Sequence, residues 1–314
     1  MSEPVGSEPL GRKALGASPA GASARGIGFF LLAMLGFVLM DTAAKYLTAE
    51  HSVAQIAWAR YTFHFAVAML LLSRARLTRI FATKALPLQL LRSLILFVAT
   101  CSFYVAIAYL PLVEAISISY VAPIILTGLS ALLLRERVGP RRWTAVFVGF
   151  AGVLIIIRPG TDVFQWEGLF LIGTATCYAL YQIATRMLSG RDSSFTTVFY
   201  TGIVGAIVTS IAAPFFWTSP SWLGWGLFVG LGVMGLGAHY CIIKALEYLP
   251  ASYLAPYEYF ALIWAAIMGY IVFGDFPDGI AIAGAAVIVG SGLYIFYRDH
   301  REETARAKLF MTRK

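Results

Sequence analysis

Residues 27–47 read IGFFLLAMLGFVLMDTAAKYL, an apolar run that ends in a short charged segment. About 20 apolar residues in a helix cross a hydrocarbon core of about 30 Å. Similar runs recur along the 314-residue chain, which is 59% hydrophobic and only 13% charged. Soluble domains average about 45–50% apolar and about 25% charged residues. The composition excludes an ordinary soluble domain and predicts an all-α polytopic membrane protein.

Ten apolar segments are long enough to be predicted as transmembrane helices. Their predicted bounds are 27–47, 53–72, 86–108, 112–134, 142–157, 167–188, 195–216, 222–246, 251–273 and 277–297. The stretch 1–25 is rich in Ser, Gly, Pro and Ala, so we expect a disordered cytoplasmic tail and not a signal peptide. The stretch 298–314 is predicted as a basic cytoplasmic tail.

The distribution of Lys and Arg predicts the orientation. If the N-terminus is inside, almost all the basic residues between the spans fall on the cytoplasmic side, and Arg158 alone falls on the other. Because basic loops remain in the cytoplasm, we expect both termini there and an even number of spans. The predicted location is the cytoplasmic (inner) membrane, with multiple passes.

An internal repeat relates the two halves of the chain. The segment 41–47 (DTAAKYL) aligns with 182–188 (QIATRML), and the Tyr-Leu-Pro of 109–111 aligns with that of 248–250. The second spacing also aligns Glu136 with Asp275. Five spans per half is an odd number, so the second half is expected to insert upside down. Inverted repeats of this kind are typical of secondary transporters with a site near the bilayer midplane.

Several functions are excluded by what the sequence lacks. Every connection is short, and neither GxxxxGK[ST] nor a Gly-rich dinucleotide fingerprint occurs. The three cysteines lie in three different apolar runs without metal-ligand spacing. We expect no enzyme activity, cofactor, metal or nucleic acid. The expected partners are the lipid bilayer and a small-molecule substrate, with the chain a monomer or homodimer.

Four segments carry a resemblance to a known family. They are MDTAAKYL at 40–47, QIAWARYTFHF at 55–65, VAPIILTGLSALLLRERVGPRRW at 121–143 and VGFAGVLIIIRPG at 148–160. This pattern resembles the EamA type of the drug/metabolite transporter superfamily. The resemblance covers residues 27–297 and implies ten helices in two inverted EamA repeats, 26–160 and 161–297, a central cavity, and alternating access without ATP. The motifs are similar to those of riboflavin importers and S-adenosylmethionine transporters.

Two ionisable residues end the first span. Charged side chains within spans are costly and need a partner or a wet cavity. Asp41 and Lys45 lie four residues apart on one helical face, so they could pair with each other. They are predicted either as a structural latch or as residues for gating, substrate contact or proton coupling.

The second span carries a polar face. Arg60 and His64 share it, with Trp58 and Tyr61 beside them. Arg60 could bind a carboxylate, phosphate or carbonyl group, or could neutralise Asp41. His64 could change charge near neutral pH, or could be a structural hydrogen-bonding residue.

The second half contributes a further set of candidate substrate contacts, which are Tyr178, Tyr181, Gln182, His239 and Tyr257. Glu258 has no basic residue near it in sequence, so it is a candidate proton carrier unless Lys244 or another cation reaches it across the bundle. Arg92 and Glu114 lie nearer helix ends, where snorkelling explains them.

Prolines and aromatic residues complete the candidate site. Pro123 and Pro256 interrupt repeat-equivalent spans, which points either to the site or to packing kinks. Tyr104 and Tyr120, together with the aromatic residues already named, could line a cavity by stacking on a flat ring. Packing within the bundle is the alternative for all of these rings.

The sequence therefore predicts a secondary transporter of a small, polar, ring-containing metabolite. Riboflavin uptake is the first expectation. The alternatives within the class are S-adenosylmethionine uptake or exchange, and export of an amino acid or related metabolite. A sensor or assembly subunit that does not transport is a more remote alternative.

Overall fold

The structure is a computed structural model that describes residues 19–71, 83–133, 140–158, 166–188, 192, 194–249 and 254–311. The predicted tail before residue 19 lies outside these residues, as do Glu136 and Pro250. The helices of the first half are α1 Pro19–Leu47, α2 Val53–Leu71, α3 Leu86–Tyr109, α4 Leu112–Ser119, α5 Ala122–Leu133 and α6 Pro140–Ile157.

The second half is also helical. Its helices are α7 Gly168–Leu188, α8 Ser194–Thr201, α9 Ile203–Ala212, α10 Trp222–Tyr248, α11 Phe260–Met268 and α12 Gly279–Met311. Short 3₁₀ turns occupy Ala213–Phe216 and Ala255–Tyr259, and a π-helical turn occupies Gly269–Phe273.

Two terminal helices are longer than predicted. Helix α1 begins at Pro19, so residues 19–25 of the predicted disordered tail are helical instead. Proline is well suited to a first helical turn, and the alanines that follow favour helix. Helix α12 continues to Met311, well past the predicted end of its span at residue 297.

Two predicted spans are interrupted beside a proline, one in each half. The span 112–134 is divided into α4 and α5, with Pro123 in the first turn of α5. The span 251–273 contains the 3₁₀ turn Ala255–Tyr259, with Pro256 in its first positions. Proline has no backbone N–H and clashes with the preceding turn, so a continuous helix is disfavoured at both places.

The main helix pairs join the two halves of the chain. Helix α1 packs along α10, α3 along α7, and α6 along α12, while α2 packs against α9 and α10. At the α6–α12 crossing, a Cβ on Gly284 would lie 2.8 Å from the carbonyl oxygen of Gly152. At the α2–α10 crossing, a Cβ on Gly232 would lie 2.5 Å from the backbone nitrogen of His64. The absence of side chains at these glycines lets the backbones touch.

The surface of the bundle is suited to lipid. Five described helical segments are long and apolar enough to cross a membrane, and they are Ala24–Leu47, Leu86–Tyr109, Gly168–Thr185, Phe199–Phe216 and Trp222–Ile242. Shorter apolar helical stretches accompany them. Large apolar side chains such as Leu70 and Trp222 are almost fully exposed, which would be costly in water but is favourable in lipid. The fold is an all-helical, polytopic membrane protein.

Candidate functional site

Arg60 lies inside the bundle and is held by tyrosines. Its Nη1 donates a hydrogen bond to the hydroxyl of Tyr104 at 3.2 Å. Its guanidinium carbon lies 5.7 Å from the ring centroids of both Tyr61 and Tyr104. The Tyr61 hydroxyl in turn donates to Thr100 Oγ1 at 2.8 Å, which fixes that ring. Arg60 is half-buried, so its remaining N–H groups are available to an anionic or carbonyl group of a ligand.

Asp41 does not pair with Lys45, and the predicted contact between them is wrong. Lys45 Nζ instead donates to the carbonyl oxygen of Leu110 at 2.6 Å and lies 3.4 Å from Asp275 Oδ2. Its long side chain extends toward the end of α1, where the Phe273 ring centroid is 5.0 Å away. The contact joins the first half of the chain to the second.

Asp41 is left facing the interior. It is half-buried and lies within electrostatic range of Arg60. Across the described residues its carboxylate forms neither a hydrogen bond nor an ion pair. The charge of Asp41 is therefore balanced only at a distance.

Two histidines meet where α2 and α10 cross. The rings of His64 and His239 have centroids 5.9 Å apart and an interplanar angle of 73°. His239 also makes an edge contact with Phe37, at 5.1 Å. The backbone contact at Gly232 brings these helices close enough for the rings to touch. Both histidines are half-buried.

Glu258 lies among tyrosines and not beside a cation. The Tyr120 hydroxyl donates to the backbone carbonyl of Glu258 at 3.0 Å. The Tyr120 and Tyr259 ring centroids are 5.6 Å apart. Lys244 does not reach Glu258; its Nζ lies 5.9 Å from the Tyr240 ring centroid instead. Within the described ranges, the Glu258 carboxylate makes no hydrogen bond or ion pair.

Arg92 does not snorkel, contrary to the sequence-based prediction. It is only 3% exposed. Its guanidinium donates to Thr185 Oγ1 at 2.6 Å, to the Thr197 carbonyl at 3.0 Å, to Thr201 Oγ1 at 2.9 Å and to the Tyr181 hydroxyl at 2.5 Å. These partners lie on α7 and α8, which the sequence could not place beside α3. Arg92 therefore joins three helices.

The remaining predicted residues fall into two groups: two lie on α7 near the Arg92 contacts, and two pack against other aromatic rings. Tyr178 stacks on Tyr181 at 5.8 Å and is 42% exposed, and Gln182 is half-buried one turn further along α7. Trp58 lies away from the charged residues, with its ring centroid 5.1 Å from that of Trp217. Tyr257 stacks on Phe260 at 6.2 Å.

Sequence reasoning missed a polar cluster at the predicted cytoplasmic end. Asp192 accepts hydrogen bonds from the Thr83 hydroxyl, from the backbone N–H of Lys84 at 3.0 Å and from Gln89 Nε2 at 2.9 Å. Partial burial opposes ionisation, but these hydrogen bonds outweigh it and lower the pKa of Asp192. The spacing of more than 100 residues gave no local signal for this contact between the halves.

Arg158 and Asp278 form an ion pair at the predicted outer end of the bundle. Arg158 Nη2 lies 2.5 Å from each carboxylate oxygen of Asp278, and this contact lowers the pKa of Asp278. The pair borders a cavity of about 150 Å³ next to Leu110 and Glu114. The cavity lies beside the Lys45 contact and contains none of the central histidines or Arg60.

These features define a class of protein. The described residues form a lipid-suited helical bundle with charged and aromatic side chains turned inward from both halves, as in membrane transport proteins. Among the described residues, no group of three or more His, Cys, Asp or Glu is placed to hold a metal ion.

The chain belongs to the EamA-like transporter family, whose model matches residues 24–158 and again residues 165–297. It is 28% identical over 276 residues to an S-adenosylmethionine uptake transporter of Rickettsia bellii, covering 88% of this chain and 94% of that protein. It is 30% identical over 275 residues to a riboflavin transporter of Vibrio cholerae, covering 86% and 92%. A crystal structure of a protein with 20% identity shares the fold, with a TM-score of 0.59 over 91% of this chain and 100% of that chain. The chain is a multi-pass membrane transporter and not an enzyme.

Proposed function

We propose that this transporter is a secondary carrier of a small, polar, ring-containing metabolite across the cytoplasmic membrane. The observation that carries the proposal is the placement of Asp41, Arg60, His64, His239 and Glu258 inside the bundle from both halves of the chain. Charged residues within a membrane bundle mark a substrate or ion pathway. The connections hold no nucleotide-binding domain, so the driving force would be a gradient.

The proposed architecture is ten spans in two inverted repeats, 26–160 and 161–297, with both termini in the cytoplasm. Helix packing supports it. The pair α1–α10 has its repeat counterpart in α7–α3, and α1–α11 has its counterpart in α7 with α4 and α5. Helix α6 packs on its own equivalent α12, and α2 on its equivalent α9. A two-fold relation between inverted halves produces this pattern.

Transport is tested by reconstitution in liposomes. Uptake of riboflavin and of labelled S-adenosylmethionine would be measured with and without a proton gradient, because relatives carry those names. We expect saturable flux of at least one compound, competed by the same unlabelled compound. Arg60→Ala is expected to reduce it at least about tenfold by removing a charged ligand contact, with Arg25→Ala as an exposed arginine control. An amino-acid panel follows as the test for an exporter. Binding without flux of any compound would favour a sensor and contradict the carrier.

Proton coupling is assigned to three candidates in this proposal. Asp41, His64 and Glu258 are three inward-facing groups that can bind a proton. Neutralising the coupling residue is expected to abolish accumulation against a gradient while leaving exchange intact. If accumulation survives in Asp41→Asn, His64→Ala and Glu258→Gln alike, none of the three couples transport to protons.

Lys45 is proposed as a gating residue at the outer end. Its ion pair with Asp275 joins the two halves at that end, so this pair must separate for that end to open. A cysteine reporter at the inward-facing position 41 is expected to react faster with a membrane-impermeant thiol reagent from outside when Lys45→Met is introduced. An unchanged labelling rate would contradict the gate.

A further inference from the structure

Two interrupted helices, one from each half, bring tyrosines together around Glu258. Tyr120 follows the end of α4, and Glu258 and Tyr259 lie in the 3₁₀ turn before α11. The spacing that aligns Tyr109 with Tyr248 also aligns Tyr120 with Tyr259. These equivalent tyrosines contact each other, and Tyr120 holds the backbone of Glu258. Interrupted helices in corresponding positions of two halves are the usual place for a transporter's binding site.

Three other acidic residues of the second half have partners of a kind that the carboxylate of Glu258 lacks. Asp275 pairs with Lys45, Asp278 with Arg158, and Asp192 with three hydrogen-bond donors. Glu258 has no such partner in the described part of the chain, yet it is half-buried and its oxygens are not sealed off. An ionised carboxylate in this position is costly, so it favours either a proton or a cation in the space beside it.

The surroundings of Glu258 are aromatic. Tyr120 donates to its backbone carbonyl, and the ring of Tyr259, the next residue in the chain, packs against that of Tyr120. Aromatic faces attract poorly hydrated organic cations, and cages of such rings recognise quaternary ammonium groups. Calcium instead takes six to eight oxygen ligands, which one carboxylate among rings does not supply. The arrangement suits an organic cation better than a metal ion.

We propose that Glu258, with Tyr120 and Tyr259, binds the cationic sulfonium group of the transported metabolite. The inference rests on the proposed function and narrows its substrate class. Riboflavin, the first expectation from sequence, is neutral and lacks such a group. S-adenosylmethionine carries a sulfonium group, which is bonded to the sugar that bears its flat adenine ring. The group of tyrosines around Glu258, which we call the cage, therefore favours S-adenosylmethionine over riboflavin.

A matched pair of ligands tests the cage. S-adenosylhomocysteine is the thioether that lacks the S-methyl group and the sulfonium charge of S-adenosylmethionine. Binding of both to the purified protein in nanodiscs would be measured by calorimetry. We expect S-adenosylmethionine to bind at least about tenfold more tightly. Trimethylsulfonium should compete with S-adenosylmethionine for binding, whereas riboflavin should not.

Variants assign the preference to these residues. Glu258→Gln is expected to remove most of the tenfold preference, and Glu258→Asp to retain part of it. Tyr259→Phe keeps a ring and should preserve the preference, whereas Tyr259→Leu should reduce it. Tyr270→Leu is the control, since the ring of Tyr270 contacts Phe276 instead.

The outcomes separate this inference from the carrier proposal. Equal affinity for the two adenosyl compounds, including no binding of either at millimolar concentration, would overturn the cage. So would a preference that survives Glu258→Gln. Saturable riboflavin flux in the same preparations would then still support the proposal that the protein is a carrier. Absence of any flux, with the charge preference intact, would overturn the carrier and retain the cation site.

Discussion

Arg92 and Glu258 are both ionisable residues inside the bundle, and they have opposite surroundings. Arg92 donates to hydroxyl and carbonyl groups on α7 and α8, and a tyrosine ring lies 4.4 Å from its guanidinium carbon. Glu258 has no hydrogen-bond or ion-pair partner among the described residues. A buried charge whose hydrogen bonds are satisfied by protein stabilises the fold. One without partners adds no such bonds and is available to a ligand. The contrast separates structural from functional charges in a way that residue type alone does not.

The largest expected effect is on stability when Arg92 is removed. Arg92→Ala leaves several hydroxyl and carbonyl groups without their donor, which is expected to cost about 2–4 kcal/mol. The midpoint of thermal unfolding in detergent should fall by about 5–10 °C. Arg92→Lys should recover little of this loss, because an ammonium group lacks the planar fork. An equal loss in the exposed control Arg25→Ala would contradict a structural role specific to Arg92.

A smaller effect on stability is expected at the contact between Lys45 and Asp275. Lys45 has fewer partners than Arg92 but more than Glu258. A double-mutant cycle with Lys45→Met and Asp275→Asn should give a coupling of about 0.5–1 kcal/mol in thermal stability, since Asp275 is partly exposed. Lys45→Met alone should cost more than Asp275→Asn, because it also loses the bond to the Leu110 carbonyl. The reverse order of the two single variants would count against the observed geometry.

Asp192 should give a still smaller effect that depends on pH. Its pKa is lowered in the folded protein, so its ionised form stabilises the fold at neutral pH. That contribution is lost as the pH falls below about 4, the region of an ordinary aspartate. Melting curves from pH 7 to 3 should therefore show a steeper acid loss in the native chain than in Asp192→Asn. Thr83→Val, which removes one donor, should lie between them, and parallel curves for all three would refute the assignment.

The smallest expected effect is that of Glu258→Gln on stability. The substitution keeps the shape of the side chain and removes a charge without partners, so the unfolding midpoint should change by less than the equivalent of about 1 kcal/mol or should rise. The preference for S-adenosylmethionine over S-adenosylhomocysteine should nevertheless be mostly lost, as described above. A large destabilisation would show that Glu258 belongs with Arg92 and would remove the contrast.

The fold class was predictable from the sequence because hydrocarbon thickness constrains helix length. The apolar run at 27–47 needed only composition and length to be assigned. The helix interruptions at Pro123 and Pro256 followed from the missing N–H of proline. The extension of α1 back to Pro19 was not predicted, since Ala and Gly in a polar stretch are compatible with either helix or disorder.

The candidate site was predictable in part. Arg60 and His64 were placed on one face by helical periodicity, and the structure turns both inward. Periodicity could not show that Lys45 reaches Asp275, which is 230 residues away. Nor could it show that Arg92 finds its partners on two other helices. Local spacing describes a single helix face, whereas the partner of a buried charge depends on which faces meet.

The contact between Tyr120 and Tyr259 has a geometric consequence. Under the proposed two-fold relation, equivalent residues can touch only near the rotation axis. Exchanging the conformations of the two halves amounts to turning the molecule about that axis, and points on an axis stay where they are. A ligand group held beside these tyrosines would therefore meet the same surroundings whichever side of the membrane the pathway opens to. One set of residues would recognise the ligand in both conformations.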